Sequence, residues 1–250
     1  MILAIDIGNS TTKFGAFDEE KLVERLTIPT IRGKSASEIR DSFNEELNLR
    51  FDAVIISSVV PELADSFKNL SEQHFNCTPY FVDNSFDFKF KINYNPPESV
   101  GIDRLIAAFA SVEKYGNPCI ICDFGTATTI DVVNSKNEYL GGVITAGLHL
   151  LADALHQKTS KLPKIEIKKP IKVIGDTTIS AIQSGVYFGY IGLVEGILQK
   201  MIAELGETPN IIATGGLAKL ISEGTQVFDI VDDNLMLEGL QRIQKHLTKE

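Results

Sequence analysis

Tryptophan is absent from this chain of 250 residues, and cysteine occurs only three times, as Cys77, Cys119 and Cys122. So few cysteines in a chain this long exclude a disulfide-built scaffold, which needs a far denser framework. Cys119 and Cys122 have the spacing of a redox pair, but Ile120 and Ile121 between them read as strand, where positions three apart face opposite sides. A redox pair would open a helix instead, so both thiols are expected in the core. Basic residues are in deficit: 24 Lys and Arg stand against 33 Asp and Glu, a net charge of −9. The lack of a basic tract excludes the electrostatic footprint of a protein that grips nucleic acid or an anionic membrane. No uninterrupted apolar run reaches membrane-spanning length. The opening residues lack the charged leader of a signal peptide, so a cytoplasmic protein is expected. Two glycine-rich nucleotide motifs are missing as well: Gly-x-x-x-x-Gly-Lys-Ser/Thr, and Gly-x-Gly-x-x-Gly after a strand.

What is present is an ordinary globular composition, 44% apolar and 23% charged, with one motif used twice. Asp6-Ile7-Gly8-Asn9-Ser10-Thr11-Thr12-Lys13 follows the apolar run Ile2-Leu3-Ala4-Ile5. Near the middle of the chain, Asp123-Phe124-Gly125-Thr126-Ala127-Thr128-Thr129 follows Ile120-Ile121-Cys122. Each reads as a strand, a tight turn and a returning strand, with a carboxylate at the end of the first strand and glycine plus hydroxyls at the turn. Gly8 lets backbone approach a phosphate with no Cβ in the way. Asn9, Ser10, Thr11 and Thr12 supply donors and Lys13 a charge. Gly125, Thr126, Thr128 and Thr129 would cradle the other end of a phosphate chain, with Asp6 and Asp123 holding cations that neutralise its oxygens. Either loop alone reads as an ordinary turn between Thr-rich strands. Two matching loops heading two matching halves point to a nucleotide-dependent phosphotransferase.

The alternation of apolar and polar residues predicts a three-stranded meander over 1–28, a helix from Ser35 or Ser37 to about Leu49, and a buried strand over 52–58. A helix after Pro61, a short strand over 79–82 and an irregular stretch over 83–101 follow. A helix over 102–115 closes the first half. The second half repeats the meander over 119–145. It then predicts a helix from Leu148 to about Gln157, and a long helical stretch from 175 to 205 bent around Gly185, Gly189, Gly192 and Gly196. A strand over 210–214, a short helix, a last strand over 227–231 and a helix over 234–247 complete it. Two α/β domains are expected, 1–117 and 118–250, each a mixed sheet flanked by helices.

Further candidates lie outside the loops. Asp103 sits at a helix N-terminus, where the dipole favours a carboxylate; the same placement suits a general base. Arg104 beside it has the geometry to clamp a carboxylate. Tyr94 reads either as a substrate contact or as an anchor for the irregular stretch. Gly215-Gly216 reads as a sharp turn or as a flat seat for an adenine ring. Thr178 has helix capping as its ordinary role. His149, Asp153 and His156 share a helix face, but no fourth ligand accompanies them, so zinc is not expected.

These residues carry a family pattern. Asp6-Ile7-Gly8-Asn9-Ser10, the run from Asn95-Pro96-Pro97-Glu98 through Ser99-Val100-Gly101-Ile102-Asp103-Arg104, Asp123 to Asp131, Gly141-Gly142, Leu162-Pro163, Thr214-Gly215-Gly216 and Asp233 to Leu240 extend over nearly the whole length. The chain resembles the type III pantothenate kinases, members of the acetate and sugar kinase, Hsp70 and actin superfamily. The resemblance implies duplicated ribonuclease-H-like, actin-like ATPase domains. It implies phosphorylation of the primary hydroxyl of pantothenate by ATP, with Mg2+ and with a monovalent cation, K+ or NH4+, at Asp123. It implies ATP contacts from Asp6, Ile7, Gly8, Asn9, Ser10, Thr11, Thr12, Lys13 and Thr126, with Asp6 helping to place Mg2+. Tyr94, Gly101, Ile102, Asp103, Arg104 and Thr178 would contact the vitamin, Asp103 as the base. A homodimer is implied, which gives the glycine-spaced helix after residue 175 a use. The sequence departs from the family pattern at Ala146, Asp176 and Thr177. Two other readings stay open: another phosphotransferase or phosphohydrolase of the superfamily, and a non-enzymatic ATP-binding regulator on the same fold.

Overall fold

The structure, a computed structural model, describes residues 1–43 and 47–248. By internal contact the chain divides into two compact units. Unit one holds residues 1–89, 95–110 and those from Asn234 onward; unit two holds 90–94 and 111–233. A single cut after residue 117 had been expected from the duplicated pattern. The chain instead returns its last helix to unit one, because that helix carries an apolar face which the first sheet needs covered.

Unit one is built on β1 (Ile2–Ile7). It pairs antiparallel with β2 (Thr11–Asp18), which pairs antiparallel with β3 (Lys21–Pro29). On its other side β1 pairs parallel with β4 (Ala53–Ser58), and β5 (Pro79–Phe81) adds to β4, so the order is β3-β2-β1-β4-β5. The solid run Val54-Ile55-Ile56 is buried throughout, as a central parallel strand requires. Alternation decides the faces. Leu3, Ile5, Ile7, Phe14, Val54 and Ile56 join one cluster, covered by α1 (Ala36–Arg40) and α2 (Ala64–His74). The opposite face meets α7 (Leu235–Leu247), where Leu237 lies against Gly15. Gly239 of α7 in turn abuts Ile106 and Ala110 of α3 (Ile102–Tyr115). The first predicted helix is shorter than expected. Ser35 caps α1 with Glu38 in a reciprocal capping box, which satisfies two N-terminal donors. A 3-10 turn at Asp41–Phe43 follows, and residues 44–46 of the expected helix lie outside the described residues.

Unit two repeats the plan. Its central strand is β7 (Cys119–Phe124), flanked antiparallel by β8 (Ala127–Val133) and then β9 (Glu138–Ala146). On the other side β10 (Asn210–Thr214) and β11 (Ile230–Val231) run parallel. The two-residue β6 (Lys91–Ile92) from the irregular stretch adds parallel to β9, giving β11-β10-β7-β8-β9-β6. Without β6 this is the strand order of unit one, so both units are mixed sheets flanked by helices, the duplicated ribonuclease-H-like arrangement that the family resemblance implies. Its helices are α4 (Leu148–Lys158), α5 (Thr178–Leu205) and α6 (Ala218–Ser222). Cys122 packs in the apolar cluster with Tyr187, Tyr190, Val194 and Leu198. Cys119 is buried too, and burial pushes its thiol up to about 12, leaving both cysteines structural.

The glycines at 185, 189, 192 and 196 do not break α5, which runs unbroken for 28 residues to Gly206, a left-handed cap. By length and composition α5 is able to cross a membrane, although 44% of that window is buried inside the fold. Ser180, Gln183, Ser184, Glu195 and Lys200 interrupt its apolar sequence.

Phe14 is fully buried, with its ring 4.8 Å from that of Phe43 in an edge-on arrangement. Phe14→Ala is expected to destabilise unit one by about 3–5 kcal/mol, read as a fall in the urea midpoint followed by far-ultraviolet circular dichroism.

Candidate functional site

The first loop joins β1 to β2 and is closed by the N–H of Gly8 donating to the carbonyl of Thr11 at 3.0 Å. A Cβ on Gly8 would sit 3.0 Å from that same oxygen, so the turn is tight at this residue. Asn9, Ser10 and Thr11 are exposed. Asn9 accepts from Arg32 at 3.3 Å, and Arg32 also pairs with Glu62 at 2.7 Å. Asp6 is 9% exposed and lies 4.0 Å from the Lys13 ammonium. Two members of the predicted set face inward. Ile7 is fully buried, leaving only its backbone to the loop, and its carbonyl accepts from Val59 at 3.1 Å. Thr12 is buried with its hydroxyl 2.8 Å from that of Thr30.

The second loop joins β7 to β8 and is drawn together by two glycines from other elements. A Cβ on Gly147, at the start of α4, would overlap the carbonyls of Gly125 and Thr126, and its N–H donates to Thr126 at 3.1 Å. Gly215, after β10, has φ +92°, and a Cβ there would overlap Asp123 Oδ1 and the backbone of Phe124. Only glycine tolerates both the left-handed backbone and that approach. The sharp-turn reading of Gly215 is therefore structural, while Gly216 beside it is exposed and opens on free space. Thr126 is exposed; Thr128 is buried and bonded to the Tyr190 hydroxyl. Desolvation lifts that phenol to about 12.

A third cluster stands at the start of α3. The carboxylate of Asp103 turns back toward its own helix N-terminus and accepts from the Arg104 N–H at 2.9 Å. A Cβ on Gly101 would lie 2.6 Å from Asp103 Oδ1, so the absence of a side chain there keeps the carboxylate in place. Desolvation holds the Asp103 pKa above the ordinary carboxylate range, opposed by the Arg104 N–H and guanidinium. Arg104 is itself buried, and Ile102 is half-buried.

Tyr94 lies beyond β6 and rests against Gly141, where a Cβ would meet its ring at 2.8 Å. Its neighbour Tyr139, 6.5 Å away between ring centroids, donates to buried Asp131 at 2.6 Å. Sequence reading did not find Tyr139 or Asp131 as the base under Tyr94; a Gly-Gly pair opposite a tyrosine-bearing strand is the signal that points to them. Thr178 is not the cap of α5. Thr177 is, accepting from Ser180 at 3.1 Å, which leaves the Thr178 hydroxyl exposed. Asp176 is paired with Lys172 at 2.7 Å, and that bond holds its pKa low. His156, on α4, bonds the Leu162 carbonyl through Nδ1 at 2.9 Å.

The profile of the family described as type III pantothenate kinase matches residues 2–200. The chain belongs to that family. A type III pantothenate kinase of Halalkalibacterium halodurans is 41% identical over 98% of this chain and 99% of its own. One from Geobacter sp. strain M21 is 43% identical over the same shares. Among solved structures, MreB 5 of Spiroplasma citri bound to AMPPNP aligns over 99% of this chain and 97% of its own with a TM-score of 0.53 at 11% identity. The ethanolamine utilisation protein EutJ of Carboxydothermus hydrogenoformans aligns over 96% and 88%, with a TM-score of 0.56 at 16% identity. Those two likenesses concern the fold alone.

The kinase therefore holds its family motifs in three built clusters: Asp6 with Lys13, Asp123 with Gly125 and Gly215, and Gly101 with Asp103 and Arg104. Its departures fall outside them. Ala146 sits opposite Ala127 at the end of the β8–β9 ladder, and the Asp176 charge is matched by Lys172. Gly101→Ala is expected to push the Asp103 carboxylate from its seat and, if that carboxylate is the proton acceptor of the reaction, to lower turnover at least about tenfold, since a positioned proton-transfer group is typically worth ~10²–10⁴ in rate. Activity measured beside a thermal melt checks this: the melt should stay close to that of the parent.

Proposed function

We propose that this enzyme phosphorylates the primary hydroxyl of pantothenate with ATP, using Asp103 as general base and Arg104 as the clamp for the substrate carboxylate. The observation that carries the reading is the Asp103 carboxylate: partly desolvated, fixed by the Arg104 N–H, and kept clear of a side chain at 101. A capping aspartate needs neither desolvation nor a glycine beneath it. The substrate oxygen attacks the γ-phosphorus, and its proton passes to Asp103. The bond from that phosphorus to the bridging oxygen breaks, releasing ADP. Tyr94 and Thr178 are assigned to the vitamin, with Gly101 and Ile102 shaping its seat. The backbone and exposed hydroxyls of Gly8 to Thr11, with Lys13 and Thr126, are assigned to the phosphates, and Gly215-Gly216 to adenine.

The oxygen-rich donor sets suit hard cations. Mg2+ bound with a nucleotide keeps several waters and takes one or two carboxylates. Asp6 fits that role, and Asp123, held against Gly215, fits a monovalent cation. When bound, these ions neutralise charge on the phosphates. Among the described residues no three His, Cys, Asp or Glu side chains group as a metal cage.

Two copies are proposed to pair through α5 and the segment before it. Ile171, Val173, Ile174 and Ile179 are exposed by 105%, 64%, 83% and 51%. Gly185, Gly189, Gly192 and Gly196 open on free space, beside an apolar groove of about 810 Å³ lined by Leu151, Leu155, Ile182 and Leu193. An apolar face of this kind is costly in water, and glycines let two helices approach closely. The net charge of −9 disfavours a nucleic-acid partner, and membership of the family supports a cytoplasmic enzyme.

ADP production is expected to need pantothenate and to be faster in potassium than in sodium buffer, with the phosphorylated product confirmed by mass. ADP release without pantothenate would indicate a hydrolase instead. Asp103→Asn should abolish turnover and keep nucleotide binding. Because the folded pKa of Asp103 lies above its unfolded value, ionisation costs stability, a cost absent below the unfolded pKa and complete above the folded one. Asp103→Asn should therefore melt no lower than the parent at neutral pH, and the acid limb of kcat/KM should fall above the ordinary aspartate value of about 4. Light scattering should give twice 27.5 kDa for the parent and a monomer for Gly189→Arg, whose own fold has room for the side chain.

A further inference from the structure

Ser57 is buried to 0% exposure in β4, and its hydroxyl oxygen has no hydrogen-bond partner. A buried hydroxyl left unpaired is destabilising, and alanine would fill the same place in the strand without that cost. Its position in the ladder is informative. Ser57 stands directly across from Asp6 in the parallel β1–β4 pair, and Asp6 stands across from Lys13 in the antiparallel β1–β2 pair. Side chains paired in this way leave the sheet on the same face. Lys13, Asp6 and Ser57 thus form one polar row across three adjacent strands, at the strand ends that carry the first loop. Ile56, next to Ser57 in sequence, faces the opposite way into the apolar cluster.

We propose that Ser57 is a positioning residue of the Asp6 site. Its hydroxyl hydrogen-bonds a water held at the Asp6 carboxylate, a water belonging to the hydration shell of the divalent cation that accompanies the nucleotide. The inference rests on the assignment of Asp6 to that cation. A serine hydroxyl both donates and accepts, so it orients a water without adding charge. This suits a row in which Lys13 already stands 4.0 Å from Asp6. Groups that orient the inner shell of a metal commonly change its affinity about 10–100-fold.

Binding of Mn2+ to the full-length protein with a non-hydrolysable ATP analogue, followed by electron paramagnetic resonance, decides the matter. Ser57→Ala and the isosteric Ser57→Cys are expected to weaken Mn2+ about tenfold. They should raise the Mg2+ needed for half-maximal turnover similarly, while kcat at saturating Mg2+ changes less. Ser57→Thr, which keeps the hydroxyl, should stay within about threefold of the parent. The Ser57→Ala melt should be no lower than the parent's, since an unpaired hydroxyl is removed. Equal Mn2+ affinity in the parent and in Ser57→Ala or Ser57→Cys would overturn the proposal; should Ser57→Ala not fold, Ser57→Cys carries the same comparison. Parent protein that binds Mn2+ with the nucleotide analogue yet makes no pantothenate-dependent ADP would overturn the kinase reading alone, leaving the Ser57 comparison intact. Parent protein that binds no Mn2+ with the analogue overturns the role of Ser57 as well.

Discussion

Each unit places a carboxylate at the end of its central strand, and much of the surrounding structure serves to make that placement tolerable. A carboxylate taken out of water is costly unless charge and hydrogen bonds compensate it. Asp6, at 9% exposure, has Lys13 alongside in the next strand. Asp123 is packed so closely on Gly215 that no other residue fits there. Both strands sit mid-sheet, with an antiparallel neighbour supplying the loop and a parallel neighbour on the other side. The loops therefore open at the ends of the central strands, with Asn9 to Thr11 and Gly125 to Ala127 exposed, and backbone turns of this kind are where an acidic protein best receives a polyanion.

Asp103 obeys a different balance. Its carboxylate is favoured by the start of α3 and by Arg104, yet desolvation prevails and raises its pKa. In the proposed role of base, a carboxylate held this way is closer to the pH at which it would work, which is how burial tunes a carboxylate for proton transfer. The backbone of Gly101 supplies the space, so the placing of that carboxylate depends on a residue without a side chain.

The two units share a strand order but differ in what was added. Unit one takes its covering helix, α7, from the far end of the chain. Unit two gains β6 at its sheet edge, bringing Tyr94 onto Gly141, and the long α5 with one buried and one open face. The buried face of α5 carries Tyr187, Tyr190, Val194 and Leu198 into the core. The open face is lined by glycines that no contact among the described residues explains, and the proposed pairing of two copies would give them a role.

From sequence alone, the paired Asp-x-Gly-x-x-Thr-Thr loops, the duplicated meanders, the buried central strands and the Gly101 to Arg104 cluster could all be read. These features are local: a strand period, a turn that demands glycine, and a carboxylate at a helix start are written in neighbouring residues. Tertiary structure alone decided which members of a motif are spent internally. Thr12 and Thr128 look like their exposed neighbours in sequence, but Thr30 and Tyr190 take their hydroxyls. The assignment of α7 to the first sheet, the Thr177 cap in place of Thr178, the unbroken course of α5 and the orphaned hydroxyl of Ser57 beside Asp6 were likewise settled only by packing. Each depends on a partner distant in sequence or on a neighbouring side chain's competition for the same donor, and no local pattern records either.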